Sequence, residues 1–281
     1  MTQGEVMNTA DTAPDTIVLI HGFWVTPRAW ENWKPRYEAK GYKVLTPAYP
    51  GFEVEVESLR EDPKPIEDLE VTEIIDTLET IISKLDRPPI IMGHSAGGLF
   101  TQILLDHGFG AVGVGINSAP PEGVKVVPLS EVRSGFPILK NPANRHRAVG
   151  FTPEQWHYVF ANTLDEDESQ ALYERYHVPA SGKIFWGSSL ANIHPGHDDT
   201  YVDFNNESRP PLLLIVGKDD HLFPPKVGHS NVKHYHSKSV TDIVEFDGPH
   251  LLPATPGWER VADFALDWAV KHAAPRPKER P

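Results

Sequence analysis

The sequence predicts an α/β fold, a mainly parallel sheet flanked by helices, with a mostly helical insertion covering one end of it. Three observations carry this reading. Short β-branched runs alternate with longer segments of helical apolar spacing, as βαβ units on a parallel sheet require. Pro and Gly punctuate the joins between them. One stretch, residues 121–209, breaks the rhythm and is rich in aromatic side chains.

Taken in order, Thr16-Ile17-Val18-Leu19-Ile20 is a buried strand stopped by His21-Gly22. Lys43 to Thr46 is a second strand, ended by Pro47 and a Tyr49-Pro50-Gly51 turn. Ile66 to Leu85 carries Leu69, Ile74, Ile75, Leu78, Ile81, Ile82 and Leu85 at helical spacing. Pro88-Pro89 breaks that helix and launches the strand Ile90-Ile91-Met92, after which Gly97 to Leu105 resumes as helix. Ala111 to Ile116 reads as a Gly-rich strand lying close under a helix. Leu212 to Val216 and Ile243 to Phe246 read as further strands, and Val261 to Val270 as a closing amphipathic helix. Within the insertion, helical patches fall at Glu154–Phe160 and Ser169–Tyr176, and no clear strand is visible. The expected organisation is a flexible leader over 1–15, a core over 16–120 and 210–272, a cap over 121–209 and a flexible tail over 273–281.

Composition narrows the function classes. The 281 residues are 40% hydrophobic and 23% charged, an ordinary globular balance. No run approaches the roughly 18 consecutive apolar residues that cross a bilayer. Met1 to Asp15 lacks a basic segment followed by an apolar one, so no secretory signal is expected. Cysteine is absent, which removes disulfides, thiolate nucleophiles and thiolate metal sites and fits a cytoplasmic protein. A net charge of −13 repels phosphate backbones and anionic membranes, so neither nucleic acid nor membrane is an expected partner. The run Asp165-Glu166-Asp167-Glu168 reads as a solvated helix start.

Gly93-His94-Ser95-Ala96-Gly97 is where chemistry concentrates. The bare G-x-S-x-G pattern is a modest signal, but here it lies between a strand and a helix, where a nucleophile elbow must lie. A tight turn there lifts the Ser95 hydroxyl out of the sheet, and small neighbours let adjoining backbone pass. The new helix aims its N-terminal amides at charge developing during attack. A serine hydroxyl needs a base. Asp247-Gly248-Pro249-His250 follows the Ile243–Phe246 strand and can present His250, while Gly217-Lys218-Asp219-Asp220 follows the Leu212–Val216 strand and offers two carboxylates. His21-Gly22-Phe23-Trp24 follows the first strand directly, and in a fold built around such an elbow the amides of Phe23 and Ala96 would be the oxyanion donors. His21 reads as a brace for that loop and His94 as support inside the elbow. After the strand ending at Ile116 stand Asn117 and Ser118, with no carboxylate.

Together the His-Gly loop, Gly-His-Ser-Ala-Gly, the Gly217…Asp220…Pro224 segment and the late Gly-Pro-His resemble the α/β-hydrolase fold superfamily, in its capped, esterase-like branch, from about Thr16 to Val270. The chain order Ser, Asp, His matches that fold. The resemblance implies Ser95 as nucleophile, His250 as base and Asp220, in preference to Asp219, as the orienting acid. It also implies a sheet lacking the usual N-terminal hairpin, since the chain enters at the family's third strand. The implied activity is hydrolysis of a carboxylic ester or lactone of a largely apolar small molecule through an acyl-enzyme. The same three residues can serve C–C bond hydrolysis, acyl transfer or a cofactor-free perhydrolase reaction, and a hydrolase-fold ligand receptor is the reading from another class.

No metal or cofactor is expected. His194-Pro195-Gly196-His197-Asp198-Asp199 and His234-Tyr235-His236 hold ligand-type residues without the spacing of a zinc site. Trp24, Phe136, Trp156, Phe160 and Trp186 are the expected walls of an apolar pocket between cap and sheet.

Overall fold

The computed structural model describes residues 13–126, 129–190 and 199–273. Its centre is a six-stranded sheet in the order β2-β1-β3-β4-β7-β8, with every neighbouring pair parallel. The strands are β1 (Thr16–Ile20), β2 (Lys43–Leu45), β3 (Ile90–His94), β4 (Val112–Ile116), β7 (Leu212–Gly217) and β8 (Thr241–Phe246). Among the described residues no antiparallel hairpin precedes β1 in this sheet.

Both faces of a parallel sheet are covered, so alternate side chains of each strand enter different cores. Ile17, Leu19, Ile90, Met92, Val114 and Ile215 pack with α1 (Trp33–Glu38) and α10 (Trp258–Ala273). Val18, Ile20 and Ile91 point the other way, against α2 (Val56–Glu61), α3 (Val71–Ile82) and α4 (Ala96–Asp106). The expected helix over Ile66–Leu85 is shorter than its apolar period. Pro63 and Pro65 hold its first part in a 3₁₀ turn, and a reciprocal Glu70/Glu73 capping box starts α3. Short α1 and α2, and α9 (Pro225–His234) after β7, escaped the periodic reading.

The insertion contains α5 (Leu129–Leu139), α6 (Pro153–Phe160), α7 (Glu166–Tyr176) and α8 (Gly182–Leu190). It also holds a strand pair missed in sequence, β5 (Ala148–Val149) antiparallel to β6 (Ala180–Ser181). Two residues per strand are too few for an alternation to register. A third core joins Ile138, Phe151, Trp156, Val159 and Phe160 from the insertion to Trp24 and Leu251 of the site loops.

Not all of 121–209 lies over the site. Asp203 and Asn206 bond to Asp106 at the far end of α4, and Phe204 packs on Tyr235. The reason is topological: a parallel strand is entered at the end opposite the site, so the chain must descend the side of the core before β7.

Candidate active site

The order of strands reverses between β1 and β3, so the loops leaving them part to opposite sides at the carboxyl edge of the sheet. Ligand crevices of open α/β sheets form at such a point. Three non-glycine residues with positive φ stand on this edge: Trp24 (63°) after β1, Ser95 (57°) after β3 and Asn117 (44°) after β4. Backbone held in sparsely populated regions clusters at functional sites.

Ser95 is the hinge between β3 and α4. The turn closes because its neighbours lack side chains. A Cβ on Gly93 would lie 1.9 Å from the Gly97 carbonyl oxygen, and one on Gly97 would lie 2.3 Å from that of Ile20. The Ser95 amide donates to Ile116 O at 2.9 Å, and its own carbonyl accepts from Ala119 at 3.0 Å.

His250 stands beyond β8, three strand spacings from β3, or roughly 14 Å across the sheet. Its loop leans back over β7 and β4 to cover that gap. Ser95 Oγ and His250 Nε2 are 3.0 Å apart, and His250 Nδ1 lies 2.8 Å from Asp220 Oδ2. The other oxygen of Asp220, Oδ1, accepts from the amides of Leu222 at 2.7 Å and Phe223 at 2.9 Å. All three side chains are buried. With Nδ1–H donated to the carboxylate, Nε2 is left as the acceptor for the serine proton. Asp219 points elsewhere, accepting from the Gly248 amide at 3.2 Å.

Two side chains hold the His250 backbone in place. His94 Nε2 donates to the His250 carbonyl at 2.7 Å; burial and the adjacent His250 push the His94 imidazole well down, so it is neutral. Asn117 Nδ2 donates to the same carbonyl at 2.9 Å and to Pro249 O at 3.0 Å, while its Oδ1 accepts from the Gly217 amide at 2.5 Å. Asn117 thus ties the histidine loop to the strand that delivers Asp220. In the sequence Asn117 stands out only as a position without a carboxylate; the signal of its role is an asparagine, tolerant of positive φ, directly after a strand.

Phe23 and Ala96 line the cavity that opens on Ser95, and neither backbone amide donates to an acceptor among the described residues. Gly22 lets the β1 loop come this close, since a Cβ there would sit 2.7 Å from Ser95 Cβ. His21 stacks on Tyr49 with ring centroids 3.8 Å apart, and Tyr49 donates to the His21 carbonyl. Burial lowers the His21 imidazole to about 4, so it braces the loop uncharged.

A cavity of about 130 Å³ opens on Ser95, lined by Phe23, Trp24, Leu99, Phe100, Phe185 and Phe223 among others. Of the five expected wall residues, Trp24 lines it and four do not. Phe136 is 61% exposed and borders a separate outward groove, because α5 turns that face away from the sheet. Trp156 is buried in the core of the insertion, stacked on Phe160 at 4.3 Å. Phe160 contributes behind the site instead, with its ring edge-on to His250 at 5.0 Å. Trp186, on α8, is absent from the wall, where its neighbour Phe185 stands. Glu131 of α5, unnoticed in the sequence, is on it.

No group of three or more metal-ligating side chains occurs among the described residues. His234 Nδ1 bonds instead to Ser230 O, and the stretch from His194 to Asp198 lies outside the described residues. No described helix is long and apolar enough to cross a membrane.

Residues 17–264 match the alpha/beta hydrolase family. Solved structures share the fold at low identity. An extracellular alpha/beta-hydrolase from a Paenibacillus species, described as sharing structural and functional homology with tobacco salicylic acid binding protein 2, superposes with a TM-score of 0.66 at 19% identity, covering 94% of this chain and 100% of that one. A pyrethroid hydrolase from Sphingobium faniae gives 0.64 at 19% identity over 90% and 96% of the two chains. A monoacylglycerol lipase from Paleococcus ferrophilus gives 0.61 at 19% identity over 93% and 96%. No curated protein matches by sequence.

Proposed function

The chain belongs to the alpha/beta hydrolase family, and on that premise we propose that it is a serine hydrolase cleaving a carboxylic ester or lactone of a small, largely apolar molecule. The observation that carries this is the relay Ser95 Oγ, His250, Asp220, with steps of 3.0 and 2.8 Å. In the proposed reaction the substrate carbonyl oxygen faces the amides of Phe23 and Ala96. Ser95 attacks as His250 Nε2 takes its proton; Asp220 fixes the tautomer and stabilises the imidazolium. The tetrahedral intermediate collapses, His250 returns the proton to the leaving alcohol, and an acyl-enzyme remains. Water, deprotonated by His250, then releases the acid. Each oxyanion donor lowers the barrier by roughly 3–4 kcal/mol. Phe160, Phe223 and His94 pack around the imidazole and keep bulk water from it.

In this reading α5 to α8 act as the cap, with Phe185 and Glu131 closing the cavity above Ser95. The pyrethroid hydrolase and monoacylglycerol lipase neighbours support ester chemistry in general terms. We place the protein in the cytoplasm, a setting its cysteine-free sequence suits. The test is turnover of short p-nitrophenyl esters together with labelling by a fluorophosphonate. Ser95→Ala should abolish labelling, and Ser95→Ala or His250→Ala should lower kcat by roughly 10⁴ or more. Near-normal turnover by either variant would falsify the assignment.

A further inference from the structure

Glu131 stands on the α5 wall of the cavity that opens on Ser95. Its Oε2 is shut away from water and has no hydrogen-bond partner among the described residues. Native structures rarely leave a buried acceptor unspent, and because residue 131 already lines the cavity, a rotation of its side chain would present this oxygen to a donor on a ligand. Burial, reinforced by the charge of Asp220 and opposed by Lys226, pushes this carboxyl up to about 7.

A glutamate in the first turn of a helix ordinarily turns to water. In α5 the arrangement is reversed. Leu129, Val132 and Phe136 are exposed, while Glu131 faces the cavity and Ser134, Gly135 and Ile138 are buried. An amphipathic helix docked by its apolar side would do the opposite. The inward face is also fastened. Ser134 Oγ donates to His221 O at 3.3 Å, in the loop that carries Asp220, and Phe185 lies 3.1 Å from where a Cβ on Gly135 would stand. The carboxyl is therefore held over the site by packing that tolerates apolar exposure on the far side.

We propose that Glu131 recognises a protonated amine, so that the esters accepted at Ser95 carry a compact ammonium-bearing group. This rests on the serine-hydrolase reading above. An ammonium fits better than a neutral hydroxyl because aromatic rings of Phe23, Trp24, Phe185 and Phe223 line the same space and attract cations with their faces. The negative Asp220 nearby acts in the same direction. Size limits the group: a cavity of about 130 Å³ is close to the roughly 150 Å³ that accepts benzene.

The experiment has two arms. In the first, kcat/KM is measured at pH 8 for p-nitrophenyl 3-aminopropanoate and for p-nitrophenyl butanoate, which replaces the ammonium by a methyl group. Wild type should favour the cationic ester, and Glu131→Gln should lower the ratio of the two roughly tenfold or more, the scale of one charge-assisted hydrogen bond. In the second arm, binding of benzylammonium and of benzyl alcohol to Ser95→Ala protein is followed by ligand-observed NMR, with and without Glu131→Gln. Benzylammonium should bind more tightly and lose that advantage in the double variant. A ratio that Glu131→Gln leaves within threefold, or benzylammonium binding no tighter than benzyl alcohol, overturns the proposal. Selective benzylammonium binding without turnover of either ester supports the amine site and sinks the hydrolase reading alone.

Discussion

Glu131→Gln also tests the buried carboxyl in the absence of any substrate. The carboxyl rises from 4.5 to about 7 on folding, so the native state holds its proton more tightly than the unfolded chain. The sign follows from linkage. Stability from this group is fully present below pH 4.5 and is lost as the pH climbs to about 7, where the native carboxyl must ionise in place. The rise from 4.5 to about 7 corresponds to roughly 3 kcal/mol at about 1.36 kcal/mol per pH unit. Residue 131 is half-buried rather than fully buried, and solvent screening brings the expected loss to about 1–3 kcal/mol. Glutamine has no such titration. The facing groups Asp220 and Lys226, and the His250 bonded to Asp220, are common to both proteins and cancel in the difference. Thermal unfolding is the assay, with the midpoint of each protein followed from pH 4.5 to 8. Glu131→Gln should gain on wild type by about 2–6 °C across that interval, at about 2 °C per kcal/mol for a chain of this size. A constant difference between the two curves would show that residue 131 is an ordinary solvated carboxyl, and the reasoning about its burial would fall.

The acid and its support give two further expectations. Asp220→Asn should lower kcat by roughly 10⁴ through the wrong imidazole tautomer, whereas Asp219→Asn, which loses only a bond to Gly248, should stay within severalfold; equal losses would contradict the assignment. Asn117→Ala removes three buried hydrogen bonds. It should cost about 2–4 kcal/mol in chemical denaturation and lower kcat more than it raises KM, and a catalytic profile indistinguishable from wild type would argue that the loop holds itself.

The central strands and the elbow were legible because each obeys a local rule. β-branched runs end at glycine or proline, and Gly93 and Gly97 flank Ser95 where an added Cβ would collide with backbone. Asp220 was legible through its spacing from Gly217 and Pro224. The walls of the cavity were not. An aromatic residue reads alike whether it fills a core, as Trp156 does, or faces solvent, as Phe136 does. Their places depend on how α5 to α8 dock, which no periodicity encodes. Glu131 was invisible for the converse reason, since a helix that turns its apolar side outward defeats the usual rule of burial. The hidden role of Asn117 depends on contacts with residues 100 to 133 positions away, a distance at which sequence pattern carries no signal.

The division of the apolar interior has an evolutionary reading. Ser95 is anchored by the two cores that sandwich the sheet, whereas Glu131 and Phe185 belong to the helical layer with its own cluster centred on Trp156 and Phe160. Under the proposed function, exchanges in the outer layer that spare Phe160 would therefore retune what is admitted while the Ser95 hydroxyl keeps its setting. Selectivity and the nucleophile are inherited on different mechanical mounts that meet at Phe160, which packs on His250, so a lineage can drift in the first wherever that one contact is kept.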